Sequence, residues 1–243
     1  PGRHDNGFSL IVSVLDPQTQ RNEVLSQIDA YLIANLQSFN RQAWCGNLDP
    51  SLADTYIQEV MAYGPPHPIR LEKAPVRLQA APFSVSWKKY ALKQTATGFR
   101  LCFQEPESKR MCRFNLQPVS SRMVVEDKKI GQGDGMAYAT YPTLRLIGLA
   151  GGETVSGEAW LDHQWGRYGG WFVNRSRQGK LMGWDWFGIN LDDGTELLAM
   201  IHRDMESNKS AGAFGAVHFQ GQEPLQLDKI DAYPTRYWKS PRT

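Results

Sequence analysis

The sequence predicts an all-β, antiparallel protein, and three observations carry that expectation. From Phe83 onward, short runs of β-branched, aromatic and aliphatic residues follow one another at close spacing. Turn-forming groups separate them, among them Glu105-Pro106 and Gln132-Gly133-Asp134-Gly135. Asp193-Gly194 lies between two apolar runs, the strongest short-range hairpin signal. Such a series indicates a barrel or a sandwich, and 243 residues suffice for one large all-β domain or two smaller ones.

Taken in order, Phe8 to Leu15 alternates as a strand and closes at Asp16-Pro17. Asn22 to Phe39 is ambiguous. Val24, Ile28, Leu32 and Leu36 recur every four residues and favour an amphipathic helix, while Ile28, Ala30, Leu32 and Ala34 also fit a period of two. Asn40 to Ala80 is loop-heavy, broken by prolines at 65, 66, 68 and 75, with short strands interrupting it. Strands follow at Phe83 to Leu92, Gly98 to Gln104, Met111 to Pro118 and Arg122 to Val125. Tyr141-Pro142 precedes a strand from Leu144 to Leu149, and Gly151-Gly152 turns it into another from Val155 to Trp165. Leu181 to Leu191, Thr195 to Arg203 and Ala213 to Phe219 complete the series, before a polar tail in which Tyr237-Trp238 reads as the start of a further strand.

The chemistry concentrates between Val155 and Asp204, which holds five of the eight tryptophans and two of the five histidines. If Asp193 and Gly194 are the two turn residues, Ile189 faces Leu198, Phe187 faces Met200 and Asp185 faces His202. Trp184 then faces Arg203, as a cation–π or salt-bridge contact. A slip of one residue would move every partner. On the preceding strand Trp160 and Asp162 share one face and His163 and Trp165 the other, so Asp162 and His163 point apart. Glycines 166, 169 and 170 around Arg167 and Tyr168 mark a turned segment.

Composition excludes several classes. A charged share of 21 % with a hydrophobic share of 41 % describes a globular chain and argues against extensive disorder. With 27 basic and 25 acidic residues and no basic block, nucleic acid has no electrostatic track to follow. No apolar run approaches the roughly 20 residues that a membrane-spanning helix needs. Cys102 and Cys112 flank a turn that could bring them together; otherwise they and Cys45 read as buried thiols. His4, His67 and His218 fall in loop-like or isolated strand contexts, and no metal-ligand spacing, P-loop or dinucleotide fingerprint occurs. No metal and no cofactor is expected. The chain begins at Pro1, so a targeting segment upstream would leave no trace.

SGEAWLDHQWG (156–166) followed by GWDWFGINLDDGTELLAMIHRD (183–204) resembles the AttH-like and carotenoid 1,2-hydratase-like group of lipocalin-like proteins. YATYPTLRLIG (138–148) and the late YWKSPRT add to the likeness, which is good over 138–204 and weaker before it. The resemblance implies antiparallel lipocalin-like β-barrels in tandem, the second incomplete in this chain: an N-terminal domain over 1–176 and the first part of a second over 177–243. It brings the helix and strand readings of Asn22 to Phe39 to equal weight. It also implies a deep apolar cavity, a hydrophobic small molecule as partner, a periplasmic or membrane-associated setting with peripheral membrane association, and a missing or separate C-terminal part of the second barrel.

Members of the group hydrate isoprenoid double bonds or catalyse pericyclic and cyclising steps on polyketides and terpenoids. The implied function is a lyase or isomerase acting on a lipophilic polyene, terpenoid or polyketide. Asp162 and His163 are the first catalytic candidates: water addition at an alkene needs a proton donor in an apolar wall and a base that is neutral near pH 7. The competing reading is a strand carboxylate paired with Arg167 or Arg145 and a histidine bonded to backbone. Asp185 and His202 come next, through the two-residue-turn register, or else as a structural buried pair. Trp160, Trp165, Tyr168, Trp184 and Trp186 are the ligand-binding candidates, since indole faces stabilise developing cations, though they equally serve as core filling. Two other readings stand beside the enzyme: a non-catalytic carrier or chaperone of a hydrophobic ligand for a membrane transport system, and a structural module without a small-molecule site.

Overall fold

A computed structural model describes residues 9–29, 69–72, 76–105, 108–126, 136–166, 182–204, 207, 209–227, 229–233 and 235–236. Every regular element among them is a strand. The chain forms two compact units, one of residues 1–40, 54–117 and 146–157 and one of residues 41–53, 118–145 and 158–243.

In the first unit, β1 (Ser9–Asp16) and β2 (Arg21–Asp29) pair antiparallel from Ser9 with Ile28 to Asp16 with Arg21. Asp16 organises the turn, its carboxylate accepting from the backbone N–H groups of Gln18 and Thr19 and from the Thr19 hydroxyl. These bonds hold the Asp16 carboxyl below the usual range. The hairpin decides part of the ambiguous segment: Arg21 to Asp29 is strand, not helix, because pairing with β1 overrides a four-residue apolar spacing. The remainder of that segment, residues 30–39, lies outside the described residues. Beside β2 runs β3 (Ile69–Glu72), in parallel, an exception to the antiparallel expectation.

β4 (Arg77–Gln79), β5 (Ser84–Trp87), β6 (Tyr90–Thr95), β7 (Gly98–Gln104) and β8 (Met111–Pro118) form consecutive antiparallel hairpins. The single strand expected over 83–92 is therefore two. Its turn, at Lys88-Lys89, has Lys88 in the left-handed region at φ 54° and carries no glycine, asparagine or aspartate to announce it. In β8 the period-two rule is plain: Cys112, Phe114 and Leu116 are buried while Arg113, Asn115 and Gln117 are exposed. Phe103 and Phe114 meet at 5.9 Å between ring centroids, and Trp87 is buried in the same unit.

Cys102 pairs with Arg113, and Cys112 with Phe103, so the two thiols emerge on opposite faces of the hairpin, and both are free. Cys45 lies outside the described residues. Glu105 closes this hairpin underneath. Burial opposes its ionisation, but a bidentate Arg110 guanidinium at 2.8 and 3.1 Å and the Ser108 hydroxyl outweigh burial and hold the carboxyl below its usual range. Burial, reinforced by that carboxylate, pushes the Cys112 thiol up to about 12, so almost no thiolate is present at neutral pH.

β9 (Met123–Glu126) pairs antiparallel with β10 (Met136–Ala150) from Thr140 with Met123 to Ala137 with Glu126. β10 continues through Tyr141-Pro142, and Gly151-Gly152, at φ 64° and 97°, turns it into β11 (Glu153–Gly166). The hydrogen-bonded order is β11-β10-β8-β7-β6-β5-β4, with β9 also on β10. Gly148 marks a close approach within this sheet: a Cβ there would overlap the Arg113 carbonyl oxygen and lie 2.8 Å from Phe114 Cα.

The last sheet has the order β12-β13-β14-β15, formed by β12 (Met182–Asn190), β13 (Glu196–Asp204), β14 (Ser210–His218) and β15 (Leu225–Leu227), all antiparallel. The short β15 falls in a tail whose polarity concealed it. Leu198, Met200, Phe214 and Ala216 pack with Met123, Val125 and Tyr138 into the core of the second unit. The all-β expectation thus holds as two antiparallel sheets and a small mixed one; Tyr237-Trp238 lies outside the described residues. No helix among the described residues is long and apolar enough to cross a membrane.

Candidate functional site

The hairpin between β12 and β13 decides which side chains meet. The Leu191 N–H donates to Thr195 O at 2.8 Å and the Gly194 N–H to Leu191 O at 3.0 Å, with Gly194 at φ 81°. This is a three-residue loop, a β-turn followed by a left-handed glycine, and not the two-residue turn that Asp193-Gly194 suggests. Asp193 steadies it by accepting from the Thr195 N–H at 2.9 Å, which holds its carboxyl below the usual range. The extra residue moves the register by one, so that Trp184 faces His202, Asp185 faces Ile201, Trp186 faces Met200 and Asn190 faces Glu196.

The expected pairing of Asp185 with His202 is corrected accordingly. Asp185 forms an ion pair with Arg203, diagonal to it on the same face, which also replaces the expected meeting of Trp184 and Arg203. His202 is buried on the opposite face, its ring centroid 5.6 Å from that of Phe214. Acid and imidazole are separated by the sheet itself.

Trp184, Trp186, Gly188 and Asn190 follow one another along the face of β12 that His202, Met200, Leu198 and Glu196 share on β13. Trp186 donates through Nε1 to the Tyr138 hydroxyl at 3.0 Å and meets Trp160 edge to face, with 5.7 Å between centroids and 84° between planes. Gly188 makes room for this pair, since a Cβ there would lie 2.6 Å from Trp186 Cη2 and 3.1 Å from the Trp160 ring. Both Trp184 and Trp186 keep substantial exposure, 56 % and 40 %, although they belong to the row that is buried on β13.

Asp162 stands beside these indoles. It shares the Trp160 face of β11, as expected, and accepts from Trp160 Nε1 at 2.6 Å; Arg167, one of the two arginines of the competing reading, lies outside the described residues. His163 has the opposite parity. Partial burial and the nearby Arg122 charge lower its pKa, leaving the imidazole neutral at pH 7. The unfolded chain therefore takes up a proton that folded His163 resists, and this residue's contribution to stability falls as pH drops through and below about 6.5. Replacing Arg122 by Gln is expected to raise the His163 titration midpoint part of the way to its ordinary value, as read from ring-proton NMR shifts; an unchanged midpoint would leave burial as the sole cause. Trp165 lies on β11 with its side chain outside the described residues, and Tyr168 lies outside them altogether.

A second polar cluster occupies the hairpin end of the same face. Glu196, 4 % exposed, accepts from the Thr143 hydroxyl at 2.5 Å through Oε1 and from His218 Nδ1 at 2.9 Å through Oε2. Glu196 and His218 sit directly opposite in the β13–β14 register. Asn190 adds donors from Nδ2 to Thr143 Oγ1 and to Pro142 O, both at 3.2 Å. Residue-by-residue reading missed this pair because His218 stands alone in sequence. The available signal was parity: Glu196 is in phase with Leu198 and Met200, and His218 with Ala216 and Phe214, so both polar side chains point where the sheet is apolar and must find partners. Among the described residues, no three His, Cys, Asp or Glu side chains converge as a metal site would need.

Two antiparallel sheets, with an indole–carboxylate cluster formed by Trp160 and Asp162 of the first and Trp186 of the second, and a buried carboxylate–imidazole pair on one face of the second, define an all-β protein of the kind that the motifs at 156–166 and 183–204 suggested. Residues 58–243 match the AttH-like family, and the chain belongs to it. No curated protein and no solved structure matches the chain.

Proposed function

We propose that this AttH-like protein binds a lipophilic polyene, terpenoid or polyketide against the indole row and transforms it as a lyase or isomerase, by hydration, isomerisation or cyclisation. The sheets would close as lipocalin-like barrels around the guest, in a periplasmic or membrane-associated setting. The observation that carries the reading is the Trp160–Trp186 pair with the Asp162 carboxylate on the Trp160 N–H. Apolar rings that remain exposed beside a carboxylate give an oily guest a surface and a polar contact. Drawing the indole proton toward a carboxylate also enriches the ring face that meets a developing cation.

In this arrangement Asp162 acts from the indole side, and neutral His163 serves as a base only for a group that reaches the opposite face. The Asp185–Arg203 ion pair supports the strand without taking part. Organic extraction of the purified protein followed by mass analysis is expected to recover an apolar guest. With that guest or its precursor as substrate, Asp162→Asn is expected to lower turnover by about a hundredfold while the guest is still retained. A guest recovered unmodified, with turnover absent in the parent protein, would favour the carrier or chaperone reading; recovery of no apolar guest would count against both.

A further inference from the structure

The Glu196–His218 pair has one bond fewer than its burial calls for. The carboxylate accepts at both oxygens, from Thr143 and from His218 Nδ1, so it fixes the imidazole with its proton on Nδ1. In the neutral ring Nε2 is then a lone-pair acceptor, and no hydrogen bond to it is made among the described residues. On a ring that is only 6 % exposed, the basic nitrogen is left for water or a guest to satisfy. A purely structural pair would gain stability by closing that last position.

We infer that His218 is a proton-accepting residue of the lipophile site, that Glu196 is its positioning residue, and that the guest presents an O–H group to Nε2. This rests on the reading under Proposed function and extends it from the indoles to the other end of the same row. Trp186 and Asn190 are four residues apart on one face of β12, about 13 Å at the rise of a strand. Glu196 faces Asn190, and His218 faces Glu196. An elongated guest seated on the indoles therefore reaches the imidazole with a terminal group. The chemistry there is simple: the guest's O–H proton passes to Nε2, the electron pair stays on the guest oxygen, and the imidazolium is held by the Glu196 carboxylate. An O–H donor matches the lone pair, whereas a carboxylate guest would meet Glu196 as a like charge.

The test uses acylation of unprotonated imidazoles by diethyl pyrocarbonate, followed residue by residue by peptide mass analysis. In the ligand-free protein His218 is expected to react on the timescale of the partly buried His163, and buried His202 far more slowly. Glu196→Gln removes the negative charge behind the ring and is expected to slow acylation of the neutral His218 imidazole several-fold without changing the rate at His163. Farnesol and its methyl ether, each brought to the same occupancy by tryptophan quenching, then separate the ligand chemistry: the alcohol is expected to protect His218 and the ether is not. The inference is overturned if His218 is as slow as His202 in a protein whose circular dichroism is native, if Glu196→Gln leaves its rate unchanged, or if alcohol and ether protect equally. Failure of the lipophile reading looks different, since neither probe would then quench tryptophan fluorescence whatever the acylation rates.

Discussion

Gly148→Val is expected to destabilise the first unit by about 3 kcal/mol, the upper part of the range for overpacking. The reason is where the new atoms would fall. A Cβ at this position overlaps the Arg113 carbonyl oxygen, comes within 2.8 Å of Phe114 Cα and meets the Phe114 ring at the same distance. A flexible side chain can swing away, but the backbone of β8 cannot move without disturbing its pairing with β7, from Phe99 with Leu116 to Gln104 with Met111. Strain would therefore spread through the hairpin that encloses Cys112 and Glu105. Gly157→Ala is the control, because nothing lies within 4 Å of a Cβ there, and its effect is expected to stay within about 0.5 kcal/mol. Thermal melts of the two variants decide the matter. Equal melting temperatures would show that β8 and β10 are not held as closely as this geometry requires.

The second large effect is expected at Glu196→Ala. Removing this carboxylate leaves the buried His218 Nδ1–H without its acceptor and takes away one of the Thr143 contacts. Losing one member of a buried pair costs about 3–5 kcal/mol, most of it the desolvation of the member left behind. Replacing both members by apolar groups of similar size is the informative comparison. Glu196→Leu combined with His218→Phe is expected to recover most of the stability, because leucine and phenylalanine there would continue the rows of Leu198 and Met200 on one strand and of Ala216 and Phe214 on the other. A denaturant series on parent, single and double variants provides the reading. If the double variant is as unstable as Glu196→Ala, the site depends on the shape of its polar atoms and not on their mutual satisfaction.

Much of the fold was legible wherever turn chemistry and alternation agreed. The strands over 98–104 and 111–118 fall where they were expected because Glu105-Pro106 separates two alternating runs. Legibility failed where a turn lacked its usual residues, as at Lys88-Lys89, or had one residue too many, as at Asp192-Asp193-Gly194. It failed at Arg21 to Asp29 because a four-residue apolar spacing is a local signal and the partner strand is not. The site shows the same division. Trp160 with Asp162 was readable from parity within one strand. Asp185 with His202 required the correct register and was lost with it, and Glu196 with His218 joins residues 22 apart, through a third strand at Thr143.

The loop at Asp192-Asp193-Gly194 also sets a constraint on sequence change. β13 is held by β14 on its far side, from Glu196 with His218 to Arg203 with Ser210, whereas β12 is the outermost of the described strands of its sheet. Loss of a single codon in the loop would leave β13 where it is and slide β12 by one place, turning its two indoles over and carrying Asp185 to the side where His202 lies. Substitutions in this hairpin can accumulate one at a time; insertions and deletions are tolerated without inversion only when they come in even numbers of residues.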